Sequence, residues 1–387
     1  MKKKFALSLV ALASTALLAA CGEVKSGASN TTGNPIDEKV VKIGFNFEET
    51  GAVASYGTSE QKGAQLAVDE INAAGGVDGK KIEVTDKDNK SETAEAATIS
   101  TSLATQDKVN TIIGPATSGG VAAAIANAGK AGVPLVTPSA TQDDLTKNQD
   151  YLYRATFTDS YQGKVISKYV TENLKAKKVV LYYDNSSDYA KGMAEAFKKE
   201  YKGEIVATET FASGDSDFQA ALTKIKGKEF DSLVVLGYYT EAGKLVNQAR
   251  GLGINQTIVG PDGFSDAKFV EQATPAAATN VYYVSGFSTS GDMTDKAKKF
   301  VAAYKAKYNE EPSMFAALSY DAVYMAAEAS KGAKTSVDIK DNLTKLKDFE
   351  GVTGSITIDK DHNPVKTALM IGLKDGKVDT VETVKPE

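Results

Sequence analysis

The chain has 387 residues, 42% of them hydrophobic and 25% charged, with 45 basic side chains against 50 acidic ones. That length suits two folded units, and the apolar content is enough for a core that needs no disulfide. The acidic balance argues against nucleic acid as a partner, because phosphate binding needs clustered positive charge. Arg154 and Arg250 are the two arginines, so bidentate clamps for phosphate or sulfate are not expected.

The chain opens on Met1-Lys2-Lys3-Lys4, an apolar run over 5–20 and Leu18-Ala19-Ala20 before Cys21. A basic start, a short apolar stretch and small residues before the cut read as a secretory signal over 1–20. The run is too short for a comfortable membrane span. Cys21 is the sole cysteine and has nothing to pair with, so it reads as a lipidated first residue rather than half of a disulfide. Acyl chains on it would hold the protein outside the cytoplasmic membrane, each buried CH₂ adding about 0.8 kcal/mol. Residues 1–20 hold three lysines and no acids, so 42 basic and 50 acidic groups remain without them, a net of −8. Residues 21–38 are rich in Gly, Ser, Asn and Thr and read as a flexible tether reaching roughly 23 Å.

From residue 40 short β-rich runs alternate with longer helical ones. The pattern predicts strands over 40–46, 81–86, 111–114, 133–137, 178–183, 205–211, 231–237, 257–260 and 280–284. Helices are predicted over 56–74, 92–106, 118–129, 161–174, 189–201, 217–225, 240–250 and 294–308. Two more follow over 314–331 and 336–346, before a β-rich tail from 352. Strands alternating with helices point to doubly wound α/β units with parallel sheets.

Ile112-Ile113-Gly114-Pro115-Ala116-Thr117-Ser118 is similar to Val235-Leu236-Gly237-Tyr238-Tyr239-Thr240-Glu241, and Val136-Thr137-Pro138-Ser139 to Val259-Gly260-Pro261-Asp262. Gly114 to Pro138 and Gly237 to Pro261 are both 24 residues apart. Two such αβ units would present the same pair of strand-end loops on their carboxyl edges, where open α/β sheets bind ligands.

Catalytic chemistry is poorly served. The single histidine, His362, sits in a turn-like Asp359-Lys360-Asp361-His362-Asn363-Pro364 and reads as a solvated turn residue. One histidine and no free thiol cannot assemble a Ser-His-Asp or Cys-His system or a His/Cys zinc site. Asp359, Asp361 and Asn363 imitate the start of a calcium loop, but Pro364 and Met370 stand where Gly and the bidentate Glu belong. Capture of a small molecule is better served. Ser118-Gly119-Gly120 opens a helix after a buried strand, where free N–H groups and the dipole suit a carboxylate. Ser118 serving only as an N-cap is the ordinary alternative. Thr141 and Asp144 likewise have capping-box spacing. Asp262 is by default a turn residue, and Tyr238 could simply pack at a strand end.

Gly51-Ala52-Val53-Ala54-Ser55-Tyr56-Gly57 with the run from Gly63 to Val77 resembles the opening of the branched-chain amino-acid binding proteins, the extracellular receptors of ABC importers. The likeness continues through Ile113-Gly114, Val136 to Thr141, Tyr189, Gly260 to Gly263, Pro312-Ser313 and Tyr320-Asp321-Ala322. The resemblance implies an α/β fold of two Rossmann-like lobes with parallel sheets, joined by a three-strand hinge (type I periplasmic binding protein). Lobe one would take 39–157 plus 285–351, and lobe two 158–284 plus 352–387.

It also implies a site. Ser118 and Thr141, with the backbone of Ser139, would hold an amino acid's carboxylate and part of its ammonium. Asp262 would face the ammonium from lobe two beside Tyr238, whose ring adds cation–π attraction. Tyr56, Ala116, Thr117 and Phe315 would surround the side chain, with Tyr189 closing from lobe two. The family position at 262 is often Glu, and Asp is one methylene shorter. Thr117 stands where well-known members have a disulfide and brings a hydroxyl toward the side-chain pocket. The expected protein is a monomeric, lipid-anchored, non-enzymatic receptor without cofactor, handing leucine, isoleucine or valine to permease subunits. The same fold tuned to another amino acid, an amide or urea is the alternative.

Overall fold

A computed structural model of the protein describes residues 32–384. The signal segment 1–20, Cys21 and the tether up to residue 31 lie outside the described residues. The tether expected to run to Glu38 does not reach that far. Asn34 is buried, and its side-chain amide donates to the carbonyls of Ala104 and Val109 at 2.8 Å each.

The first lobe is built on a five-stranded parallel sheet. In chain order it comprises β1 (Val40–Phe47), α1 (Ala54–Ala73), β2 (Lys81–Asp88), α2 (Thr93–Thr105), β3 (Thr111–Ile113), α3 (Ser118–Lys130), β4 (Leu135–Thr137) and β5 (Leu152–Arg154). The strand order is β2-β1-β3-β4-β5. Every residue of β3, β4 and β5 is buried, as strands covered on both faces require. At three residues β5 is too short for periodicity to reveal, and the sequence reading missed it.

The second lobe follows with α4 (Asp159–Lys168), β6 (Lys178–Asp184), α5 (Asp188–Glu200), β7 (Glu204–Phe211), α6 (Gln219–Lys226), β8 (Ser232–Leu236), α7 (Tyr239–Gly251), β9 (Thr257–Gly260), α8 (Ala267–Ala273) and β10 (Val281–Ser285). The chain then returns to the first lobe with α9 (Asp295–Tyr308), α10 (Met314–Ser330), α11 (Ser336–Leu343) and the hairpin β11 (Phe349–Gly351) and β12 (Gly354–Ile356). It ends on β13 (Ala368–Lys374) and β14 (Lys377–Val384) in the second sheet, whose order is β14-β13-β10-β9-β8-β6-β7. β6 to β10 are parallel, while β13 and β14 add an antiparallel edge.

The last change of lobe comes later than the expected residue 352. Val352 and Thr353 donate their N–H groups to Asp321 of α10, and Ile358 N–H donates to the Leu346 carbonyl. His362 stacks on Tyr153 of β5 at 4.4 Å and pairs through Nδ1 with the Leu152 carbonyl at 3.0 Å. So 352–364 keep to the first lobe, and His362 is a packed, half-buried residue rather than a solvated one. Beyond that point Lys366, itself buried, donates to the Ala155 carbonyl at 3.0 Å and to Thr353 Oγ1, tying two lobe-to-lobe passages together.

α10 is apolar on nearly all sides and correspondingly buried, with α1 laid against it. Gly63 permits the close approach: a Cβ there would lie 2.0 Å from the Ala316 carbonyl oxygen. This contact fixes the face of α1 that carries Tyr56 and Glu60, one helical turn apart, against the start of α10 that carries Phe315.

Candidate functional site

The carboxyl ends of both sheets face one another, and the loops there enclose a cavity of at most about 260 Å³. All ten residues singled out as ligand contacts line it: Tyr56, Ala116, Thr117, Ser118, Ser139, Thr141, Tyr189, Tyr238, Asp262 and Phe315. Gly263, part of the Gly260–Gly263 motif but not among the expected ligand contacts, lines it too. The two similar αβ units supply most of it, from β3–α3–β4 on one side and β8–α7–β9 on the other.

On the first lobe, α3 starts with Thr117 as its N-cap rather than Ser118: Thr117 Oγ1 accepts from Gly120 N–H at 3.2 Å. The N–H groups of Ser118 and Gly119, at the first turn, have no carbonyl one turn back within the helix. Ser118 Oγ accepts from Gln142 N–H at 3.2 Å, which leaves its own proton to donate. Thr141 caps nothing, and its buried Oγ1 has no hydrogen-bond partner among the described residues. The Thr141 loop is nevertheless rigidly held. Buried Arg154 donates to the Ala140 carbonyl at 3.1 Å and the Gln142 carbonyl at 2.9 Å, and Asp159 N–H takes the Thr141 carbonyl at 2.8 Å. Three successive carbonyls are thereby turned away, and the hydroxyl between them has the buried Asp159 carboxyl as its polar neighbour without making a close hydrogen bond.

Thr117 does not present its hydroxyl to a ligand. It donates to Glu48 Oε1 at 2.8 Å, and the N–H groups of Ala116 and Thr117 donate to the same carboxyl at 2.9 and 3.1 Å. Glu48 follows β1 at the carboxyl edge and is buried; burial raises its pKa, against the lowering effect of these bonds. The polar reach that Thr117 seemed to add to the side-chain pocket is thus consumed behind it.

On the second lobe, Asp262 opens the turn after β9 and is 3% exposed. Its Oδ1 accepts from Tyr189 Oη at 2.6 Å and Gln162 Nε2 at 3.0 Å. Both bonds fall on one oxygen. Burial pushes the Asp262 pKa up to about 6, while the hydrogen bonds pull it down. Asp159 nearby is fully buried and held well above the usual carboxylate range by burial, so Asp262 is the acid of this pair that ionises first.

Aromatic rings close the rest. Tyr56 stacks on Phe315 at 4.1 Å and meets Tyr238 and Tyr239 edge-on at 5.8 and 5.0 Å. Tyr189 stacks on Tyr238 at 4.9 Å. Hydrogen bonds join the lobes across this box: Tyr56 Oη donates to the Gly263 carbonyl at 2.6 Å and accepts from Tyr239 N–H at 3.2 Å. Ser55 Oγ lies 2.8 Å from both oxygens of Asp266. The lobes are closed on one another. Gln162, Glu48 and the Ser55–Asp266 contact were not foreseen; Glu48 alone carried a signal, its place at the carboxyl end of a central strand.

A family model described as a periplasmic binding protein matches residues 40–377. The Leu/Ile/Val-binding protein BraC3 of Rhizobium johnstonii is 34% identical over 328 residues, covering 83% of this chain and 87% of its own length. Among solved structures, the branched-chain amino acid transporter substrate binding protein LivJ from Streptococcus pneumoniae, in complex with isoleucine, is 68% identical with a TM-score of 0.89. The match covers 90% of this chain and 100% of that one. The leucine binding protein LivK of Thermotoga maritima is 30% identical with a TM-score of 0.85, covering 89% and 99%. With its two α/β lobes and the cavity between them, the chain belongs to the periplasmic binding protein family.

Proposed function

We propose that this protein is the substrate-binding component of an ABC importer for branched-chain amino acids, lipid-anchored through Cys21 outside the cytoplasmic membrane. The observation that carries this is the complementarity of the cavity to an aliphatic zwitterion. One wall offers the N-terminus of α3, the Ser118 hydroxyl and the unengaged Thr141 hydroxyl to a carboxylate. The other offers the Asp262 carboxylate to an ammonium, with Tyr238 beside it. Between them Tyr56, Ala116 and Phe315 give an apolar lining, and the Thr117 hydroxyl is occupied by Glu48.

A neutral amide or urea would leave Asp262 facing no cation, and a buried charge without a partner is costly. This disfavours an amide or urea as the ligand. Closure of the lobes around the amino acid is the mechanism: contacts to both lobes stabilise the closed form, which docks on permease subunits. The similar proteins, a Leu/Ile/Val-binding protein and LivJ in complex with isoleucine, support the same ligand class. The role is capture and delivery without turnover, by a monomer.

A thermal-shift panel on protein unfolded and refolded to remove carried-over ligand tests this. The panel holds the twenty amino acids, urea and short amides. Leucine, isoleucine or valine at 100 times its Kd should add about 2.7 kcal/mol of stability. No shift from those three, with a shift from another compound, would refute the ligand and leave the fold.

A further inference from the structure

Beneath the cavity floor lies a carboxyl group that no ligand would touch. Glu60, one turn along α1 from Tyr56, is fully buried. Its Oε1 lies 2.5 Å from Ser139 Oγ, and that same Oγ lies 3.0 Å from the Ala116 carbonyl oxygen. Ser139 and Ala116 both line the cavity. A serine hydroxyl has one proton, and a carbonyl has none to give. Were Glu60 ionised, Ser139 could satisfy one of these two oxygens and would face the other lone pair to lone pair. A proton on Glu60 removes the conflict: Glu60 Oε1–H donates to Ser139 Oγ, and Ser139 Oγ–H donates to the Ala116 carbonyl.

We propose that Glu60 is a neutral carboxylic acid in the working protein, a positioning residue whose proton orders Ser139 and Ala116 on the two loops that line the ligand cavity. This rests on the reading of the cavity as an amino-acid site.

The surroundings agree. Glu60 Oε2 has no hydrogen-bond partner among the described residues, a far smaller cost for a neutral C=O than for a carboxylate. The groups packed around it bring no positive charge. From the end of β1, Glu48 opposes a second negative charge; Ser139 approaches after β4; and Ser319 of α10 donates to the Glu60 backbone carbonyl at 2.5 Å. Burial holds the Glu60 carboxyl well above the usual carboxylate range, and the charge of Glu48 pushes the same way.

The deciding measurement is infrared difference spectroscopy on ligand-free protein near neutral pH, wild type minus Glu60→Gln. A protonated-carboxyl C=O stretch present in the wild type and missing from the variant is expected; no such band overturns the proposal. Calorimetry with isoleucine then reads the positioning role. Glu60→Leu should weaken binding by about tenfold, and Glu60→Gln, whose amide can donate to Ser139 as the acid does, should restore it to within about threefold. A glutamine variant as weak as the leucine variant would overturn the proposal. Should Glu60→Leu not fold, the infrared band and the glutamine affinity still decide. Should the wild type bind no isoleucine, the ligand reading fails while the band still reports the proton.

Discussion

Asp262 is where the proposed ligand chemistry can be tested hardest. Replacing it by Asn keeps the shape and an acceptor for Tyr189 and Gln162 but removes the charge that faces the ammonium. Removing one partner of a buried, hydrogen-bonded charge pair costs about 2–5 kcal/mol, so Asp262→Asn should bind leucine at least about 30-fold more weakly. The pH dependence sharpens the test. With the ligand absent, Asp262 titrates at about 6, and the ammonium needs its ionised form. Wild-type affinity should be level above that value and fall below it, approaching about tenfold per pH unit. Ligand-free stability should move the other way. The folded protein holds this proton more tightly than the unfolded chain, where the group sits near 3.8, so its contribution to stability grows as pH falls from about 6 toward 4. Wild type minus Asn variant isolates both effects from the other buried acids. Calorimetry with leucine across this range, paired with thermal melts, reads them together. Affinity of the Asn variant within about threefold of wild type, or an unchanged acid fall-off, would refute the placement of Asp262.

Tyr56→Phe removes the hydroxyl that bonds Gly263 and Tyr239 across the cleft, so affinity should drop by about fivefold or more with little change in ligand-free melting; calorimetry and melts separate the two. Gly63→Ala places a methyl 2.0 Å from the Ala316 carbonyl and must push α1 from α10, costing about 1–3 kcal/mol of stability by denaturant titration. Arg154→Met releases the carbonyls of Ala140 and Gln142 and should lower both the melting temperature and leucine affinity. An effect on melting alone would show that the Thr141 loop does not depend on this clamp.

Much of the architecture could be read because α/β crossovers write themselves as alternating periods. The strand over 257–260 was placed to the residue, and α1, α2 and α3 to within two residues of their ends. What escaped is short or depends on distant partners. Three-residue β5 has no period to detect, and the antiparallel pairing of β13 on β10 is a choice among sheet edges that local sequence does not encode. The same division holds at the site. Ser118, Thr141, Tyr189 and Asp262 sit in motifs that resemblance could locate, whereas Glu48, Gln162 and Glu60 act through bonds to residues 68, 100 and 79 positions away. Capping was misread for a related reason. Thr117 and Ser118 are adjacent candidates, and Glu48 favours a cap that can bond it as well.

The pattern of engaged and unengaged hydroxyls explains how a cavity with so many polar residues can select an aliphatic side chain. Thr117 spends its proton on Glu48, Tyr56 on the Gly263 carbonyl, Tyr189 on Asp262, and Ser139 faces Glu60 and Ala116. Each is held by a hydrogen-bond partner within the protein and turns toward the ligand chiefly as carbon. Ser118 and Thr141 are the exceptions, one free to donate and one unpartnered. An unsatisfied buried hydroxyl costs free energy that a ligand carboxylate recovers on binding. Selectivity for the charged end therefore comes from groups left without partners, and tolerance for an apolar end from groups already supplied with them. A polar side chain in that second region would find no free partner and would be buried at a loss, so isoleucine and leucine are expected to bind more tightly than serine or glutamine.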